Sequence, residues 1–121
     1  MAKTIKVTTA DRVMLVDVDF DDFRSIQKAV GGHFETVHTR RMQEAFDAPM
    51  LMLVDEEGLL KGLPINKLGC FFYGTVCHGN PIVGDFILAL PVGEDLVPPD
   101  DPECLMHSMA KRYCLQEVYD G

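Results

Sequence analysis

Cysteine and histidine are the residues of this chain with the widest chemistry, and four of each are present. Cys77-His78 and Cys104-x-x-His107 together offer the thiolate and imidazole ligands that zinc prefers. Their spacing matches no finger or ribbon. One helical turn would bring Cys104 beside His107, whereas Cys77 and His78 are neighbours that would point to opposite faces of a strand. His33 and His38 stand an odd number of positions apart and diverge in the same way. No metal site is expected, and the cysteines are expected as free thiols, because a domain of this size needs no disulfide staples. Asp17-x-Asp19-x-Asp21-Asp22 has the alternating carboxylates of a calcium loop, yet Asp22 stands where that loop needs glycine and Lys28 where it needs a bidentate glutamate. Capping of the following helix accounts for these acids better.

Nothing assembles a nucleophile with its base. The two serines, Ser25 and Ser108, fall inside predicted helices rather than in a sharp strand-to-helix turn. Neither phosphate-cradling glycine motif is present. The reading is a non-enzymatic protein with no catalytic residue and no cofactor. Positive charge gathers at His38, Arg40 and Arg41, and again at Lys61 and Lys67 beside Asn66. Arginine grips phosphate through paired hydrogen bonds, and the first amides of a helix capped by Asn66 would add an anion site. If the fold joins the two clusters, Arg40, Arg41, Asn66, Lys67 and Tyr73 would line a pocket for a phosphate or nucleotide. Phe71 and Phe72 offer further rings for stacking, although aromatics in such a run are mostly core.

The elements that must position these residues follow from periodicity. Ile5 to Thr9 and Val13 to Val18 alternate as two strands of a hairpin across Ala10-Asp11-Arg12. Phe23, Ile26, Gln27 and Val30 share a helical face, which predicts a helix over Phe20 to Val30, opened by acids and closed by Gly31-Gly32. Phe34 to Thr39 reads as a strand, Arg40 to Ala48 as a loop or short helix, and Met50 to Val54 as a buried strand. Asn66 caps a helix over Lys67 to Tyr73, and Ile82 to Leu90 is a strand whose Gly84 signals a bulge or a close backbone approach. Pro91, Pro98 and Pro99 disfavour regular structure. A last helix begins at Asp101-Pro102, with Leu105, Met106, Met109, Ala110 and Tyr113 on the face that docks. Leu115 and Val118, placed on the same helix, would form an exposed apolar patch. The fold expected is α+β: a small mixed or antiparallel sheet, roughly ββαββαβ, with an added C-terminal helix.

The chain of 121 residues, 47% hydrophobic, suits one domain spanning 1–121. Eleven Lys and Arg against nineteen Asp and Glu leave a formal charge of −8, which opposes binding to polymeric nucleic acid. No apolar run has the roughly 20 residues that span a bilayer, and the first residues lack the pattern of a secretory signal. Neither a membrane nor export is expected, and the cytoplasm is the expected location.

Four stretches carry a resemblance: Ile26-Gln27-Lys28-Ala29-Val30-Gly31-Gly32, then Leu53-Val54-Asp55-Glu56-Glu57-Gly58, Leu63-Pro64-Ile65-Asn66-Lys67, and Pro81-Ile82-Val83-Gly84-Asp85-Phe86-Ile87-Leu88. In this order they resemble a domain-of-unknown-function family of small proteins from bacteriophages, prophages and plasmids. The resemblance covers roughly residues 4–90 and leaves 91–121 as a proline-rich connection and C-terminal helix. It implies a mobile element in a bacterial host cell, and it supplies no activity. A protein of this kind is expected to work by binding. One expectation is a small anionic, nucleotide-like defence signal, held between subunits of a homo-oligomer because a small protomer has little interior. The alternative is a host protein that the chain inhibits or adapts.

Overall fold

The central strand decides the architecture. Phe86, Ile87, Leu88 and Ala89 are consecutive and all buried, a pattern that arises only where a sheet is covered on both faces. The computed structural model describes residues 2–119, the side chains of Cys77 and His78 excepted. It contains β1 (Ala2–Val7), β2 (Arg12–Val18), α1 (Phe23–Val30), β3 (Phe34–Val37), α2 (Arg40–Phe46) and β4 (Leu51–Asp55). After these come α3 (Lys67–Tyr73), α4 (Thr75–His78), β5 (Phe86–Val92), β6 (Asp95–Val97), α5 (Pro102–Arg112) and β7 (Gln116–Val118). The strands form one mixed sheet in the order β3-β4-β5-β1-β2-β7, with β6 paired to β5. All pairs are antiparallel except β2 with β7. The class is the α+β expected.

Alternation sorts the side chains. Ile5, Val7, Val13, Met52, Val54, Phe86 and Leu88 face one way and pack with Met42 of α2, Phe72 of α3, and Met106 and Met109 of α5. Val18, Leu53, Ile87 and Ala89 face the other way, under Ile26 and Val30 of α1. Leu105, Met106, Met109, Ala110 and Tyr113 all belong to the larger core, as their helical spacing predicts.

Several boundaries differ from the sequence reading, each for a local reason. α1 starts at Phe23 rather than Phe20, because the Asp22 carboxylate accepts from the Arg24 amide and fixes the cap there. Its end is as expected: Gly31 takes the left-handed conformation and its amide bonds the Gln27 carbonyl at 2.7 Å. β3 stops at Val37, since Thr39 leaves the sheet to cap α2, and the helical alternative for residues 40–48 is the correct one. The strand expected from Ile82 begins at Phe86 instead. Residues 82–85 are held by bonds to the segment before α3, including the Gly84 amide to the Pro64 carbonyl at 2.8 Å. Gly84 has φ +80, and a β-carbon there would meet Leu63 Cδ1 at 2.9 Å, so the close approach its type suggested is present. β5 continues through Pro91, tolerated in its end pairing with β6.

The chain end is the largest correction. α5 stops at Arg112, Cys114 adopts φ +57, and the Leu115 amide returns to the Ala110 carbonyl. The chain then runs as β7 alongside β2. Leu115 is buried and Val118 pairs with Met14, so neither lies on an exposed helical face.

One side chain organises the centre. Asn66 is fully buried; its Nδ2 donates to the carbonyls of Val7 at 3.2 Å and Gly84 at 3.0 Å, and its Oδ1 accepts from the Gly69 amide at 2.9 Å. A cap, a strand end and a tight turn thus share one carboxamide. A second buried polar group, Asp55, closes the far edge: its carboxylate receives Lys61 Nζ at 2.6 Å and the Glu57 amide at 2.9 Å. Burial raises the Asp55 pKa, but the hydrogen bonds from Lys61 and Glu57 and the charges of Lys61 and His33 outweigh it and hold the group below its ordinary 3.8.

Asn66→Ala should lower the unfolding free energy by about 3–5 kcal/mol, because it strands two buried carbonyls and one amide. Asn66→Asp should be at least as costly, having no proton to donate; urea denaturation of both variants measures this. Because Asp55 is more acidic folded than unfolded, its contribution is complete above pH 3.8 and is lost as pH falls through the folded pKa. Acid titration of stability should therefore have a shallower acid limb in Asp55→Asn than in the parent.

Candidate functional site

A run of three aromatics, Phe71-Phe72-Tyr73, ends α3, and helical geometry separates them. Phe72 is fully buried among Phe46, Phe86 and Tyr113, and Tyr73 is half-buried against the larger core. Phe71 is left 48% exposed. Its ring lies 6.1 Å from that of Tyr113, at the end of α5. The two rings form a ledge on the face of the sheet opposite α1.

α2 is bound to the end of α3 by two side chains. Thr39 Oγ1 accepts from the Met42 amide as the cap of α2 and donates to the Phe72 carbonyl at 2.6 Å. Arg41 Nη1 donates to the Phe71 carbonyl at 2.7 Å, and its guanidinium sits 4.6 Å from the centre of the Phe71 ring. Those carbonyls belong to the last turn of α3, which has no helical partners for them and favours positive charge. Arg112 repeats the arrangement from α5: Nη1 donates to the Ala45 carbonyl at 3.2 Å, and the guanidinium lies 5.4 Å from the Tyr113 ring centre. One N–H of each guanidinium is engaged in this way, out of five.

Two cavities meet at the ledge. One, of about 410 Å³, is lined by Arg41, Glu44, Ala45, Phe71, Arg112 and Tyr113. The other, of about 300 Å³, shares Phe71 and Tyr113 and adds Asp11 and Lys67. Lys67 stands one turn before Phe71 on α3; it is 3.8 Å from the Asp11 carboxylate and mostly exposed, a weak pair that a stronger anion would displace. Glu44, the carboxylate of the larger cavity, is paired at 3.1 Å with Arg40. Three cations therefore surround the rings on a protein of charge −8.

The predicted site residues separate accordingly. Arg41 and Lys67 line neighbouring cavities that share Phe71 and Tyr113, while the other members of the two basic clusters stay apart. Arg40 turns outward, lines neither cavity and pairs with Glu44. Asn66 leaves the candidate set: with no exposed surface and all its polar atoms bonded, it positions α3 and cannot touch a ligand. The same cap occupies the Gly69 amide at the start of α3. Tyr73 lies against the core, and Phe71 is the exposed ring of the run. His38 is tied to the Met50 carbonyl and Lys61 to Asp55. Arg112 and Tyr113 went unrecognised as site residues because only tertiary packing brings the end of α5 to α2 and α3. The Lys111-Arg112-Tyr113 run, a basic end followed by an aromatic, was the available signal.

Among the described residues no group of three or more His, Cys, Asp or Glu is placed to hold a metal. Cys104 is exposed, while Cys77 and His78, the other half of the predicted cluster, have side chains outside the described residues. Asp22 and Asp19 accept from backbone amides at the start of α1, whereas Asp17 pairs with Lys3.

Fold and ledge together define an α+β protein with both sheet faces covered and a cationic, aromatic surface beside α3. The chain belongs to the family described as a domain of unknown function, DUF3846, whose model matches residues 3–111. That span reaches well beyond residue 90 and takes in nearly all of α5. No curated protein and no solved structure matches the chain. No helix among the described residues is long and apolar enough to cross a membrane.

Burial raises the Tyr113 pKa above 10.0, and the Arg112 charge opposes that rise. Removing the charge in Arg112→Ala should move the Tyr113 titration further upward, read from its ring carbon shift in an NMR titration; an unchanged or lower midpoint would show that the guanidinium does not sit over this ring.

Proposed function

We propose that this chain is a non-enzymatic binding protein that captures a small anionic ligand carrying an aromatic ring, a nucleotide in chemical class, at the Phe71–Tyr113 ledge. The observation that carries the reading is the pairing of each exposed-side ring with its own arginine around one cleft of about 410 Å³. An arginine held by a carbonyl and a ring is oriented before the ligand arrives, so less side-chain entropy is lost on binding. Phosphate oxygens would take the remaining N–H groups of Arg41 and Arg112, with Lys67 as a further point charge. The base would lie on Phe71. Arg40 supports this by neutralising Glu44.

The setting belongs to the same proposal. The motif resemblance supports a phage or other mobile element, and in that setting the nucleotide proposed is a defence signal. Cys70, Cys104 and Cys114 are free thiols, which suits a reducing bacterial cytoplasm. The cleft is open on one side, and a second protomer closing it would make the functional unit a homo-oligomer. Polymeric nucleic acid is not proposed, because its phosphates would meet the charge of −8 beyond the ledge. The alternative, a module that inhibits or adapts a host protein, keeps the acidic surface in its favour but loses the C-terminal patch, since Leu115 is buried and Val118 pairs in β7.

A thermal-shift panel of mono-, di- and cyclic dinucleotides tests the proposal. At least one should raise the melting temperature by several degrees, and the corresponding nucleoside should do so far less. Arg41→Ala and Arg112→Ala should each weaken binding by about tenfold or more, the loss of one charged hydrogen bond set. A flat response to the whole panel, or a shift that survives both substitutions together, would overturn it.

A further inference from the structure

The opposite face carries a second cavity, of about 410 Å³, with the reverse chemistry. Phe20, Phe23, Phe34 and Leu96 supply its apolar walls, and Phe23, 72% exposed, stacks on Phe34 at 6.1 Å. Asp21 rims it from the α1 side and Glu94 and Asp95 from the β5–β6 turn. No Lys, Arg or His lines it, and among the described residues none of these three carboxylates is in an ion pair. Elsewhere, Asp17, Asp22, Glu44 and Asp85 each have a cationic partner.

We infer that this groove docks an extended, basic segment of a partner protein, one whose single face carries an apolar side chain between two Lys or Arg residues. Two features select that occupant. The charge complement is cationic, and the apolar walls between the carboxylates need an apolar group between the charges. The groove is also bordered by β3, the terminal strand of the sheet, which among the described residues pairs only with β4. Phe34 and Thr36 of β3 both line the cavity, so a strand laid along that edge would project its alternate side chains onto the same face. A second copy of this chain fits poorly: pairing β3 with β3 would bring together two acidic rims. This site lies on the other side of the sheet from the ledge and does not depend on the nucleotide reading.

The test is fluorescence anisotropy with a labelled Gly-Lys-Thr-Phe-Thr-Lys-Gly peptide and its neutral counterpart Gly-Gln-Thr-Phe-Thr-Gln-Gly. The basic peptide should bind at least about tenfold more tightly, and its affinity should fall as salt is raised. The exposed pair Glu94→Gln with Asp95→Asn, and separately Phe23→Ser, should each weaken it by about tenfold while leaving the melting curve and nucleotide response of the protein unchanged. Equal binding of the two peptides, absence of binding, or full binding to both variants would overturn the inference. So would sedimentation showing self-association that the double substitution abolishes, because the occupant would then be a second copy.

Discussion

Two backbone carbonyls from distant parts of the chain and the first turn of α3 meet at the carboxamide of Asn66, and the ledge depends on that convergence. The amide group has two donors and one acceptor atom, and the strand end at Val7, the turn at Gly84 and the first turn of α3 require two donors and one acceptor in return. No apolar residue satisfies them, and an aspartate reverses the sign of two of them. Once α3 is pinned at its start, its last turn is directed toward α2 and α5. Phe72 then enters the core and Phe71 is left at the surface, where Arg41 reaches it. The ledge is thus a consequence of how one buried side chain aims a seven-residue helix.

Charge is distributed by face rather than averaged over the surface. The α2, α3 and α5 face concentrates Arg41, Lys67 and Arg112 around two rings, with Glu44 already neutralised by Arg40. The α1 face holds aromatic residues with unpaired acids. A net charge of −8 describes neither surface, and an overall negative field coexists with a local concentration of positive charge. Both surfaces use aromatic rings, which offer area and orientation with few rotatable bonds.

The parts of this organisation that were legible in sequence are those set by neighbours. The hairpin, the Gly31 stop of α1, the Asn66 cap and the docking face of α5 all follow from residues a few positions apart. Gly84 was correctly marked as a close approach: its amide meets the Pro64 carbonyl at 2.8 Å, and its φ of +80 is one that favours glycine. What was not legible needed contacts across the fold. Asn66 reads as a surface cap or ligand group until Val7 and Gly84 are brought to it, and Leu115 and Val118 continue the helical pattern until Cys114 turns the chain and β2 supplies an edge. Arg112 carried only the mark of a basic helix end before an aromatic, and its partner, the carbonyl of Ala45, lies across the fold.

The central claim is that the ledge beside α3 is a binding site for a nucleotide-class anion. The most direct measurement is a ¹H–¹⁵N correlation titration of the labelled chain with the nucleotide panel, including the guanidinium resonances. The account predicts shifts concentrated at Arg41, Lys67, Phe71, Arg112 and Tyr113, with the α1 face unmoved. No shifts at millimolar nucleotide, or shifts confined to α1 and the β5–β6 turn, would contradict it.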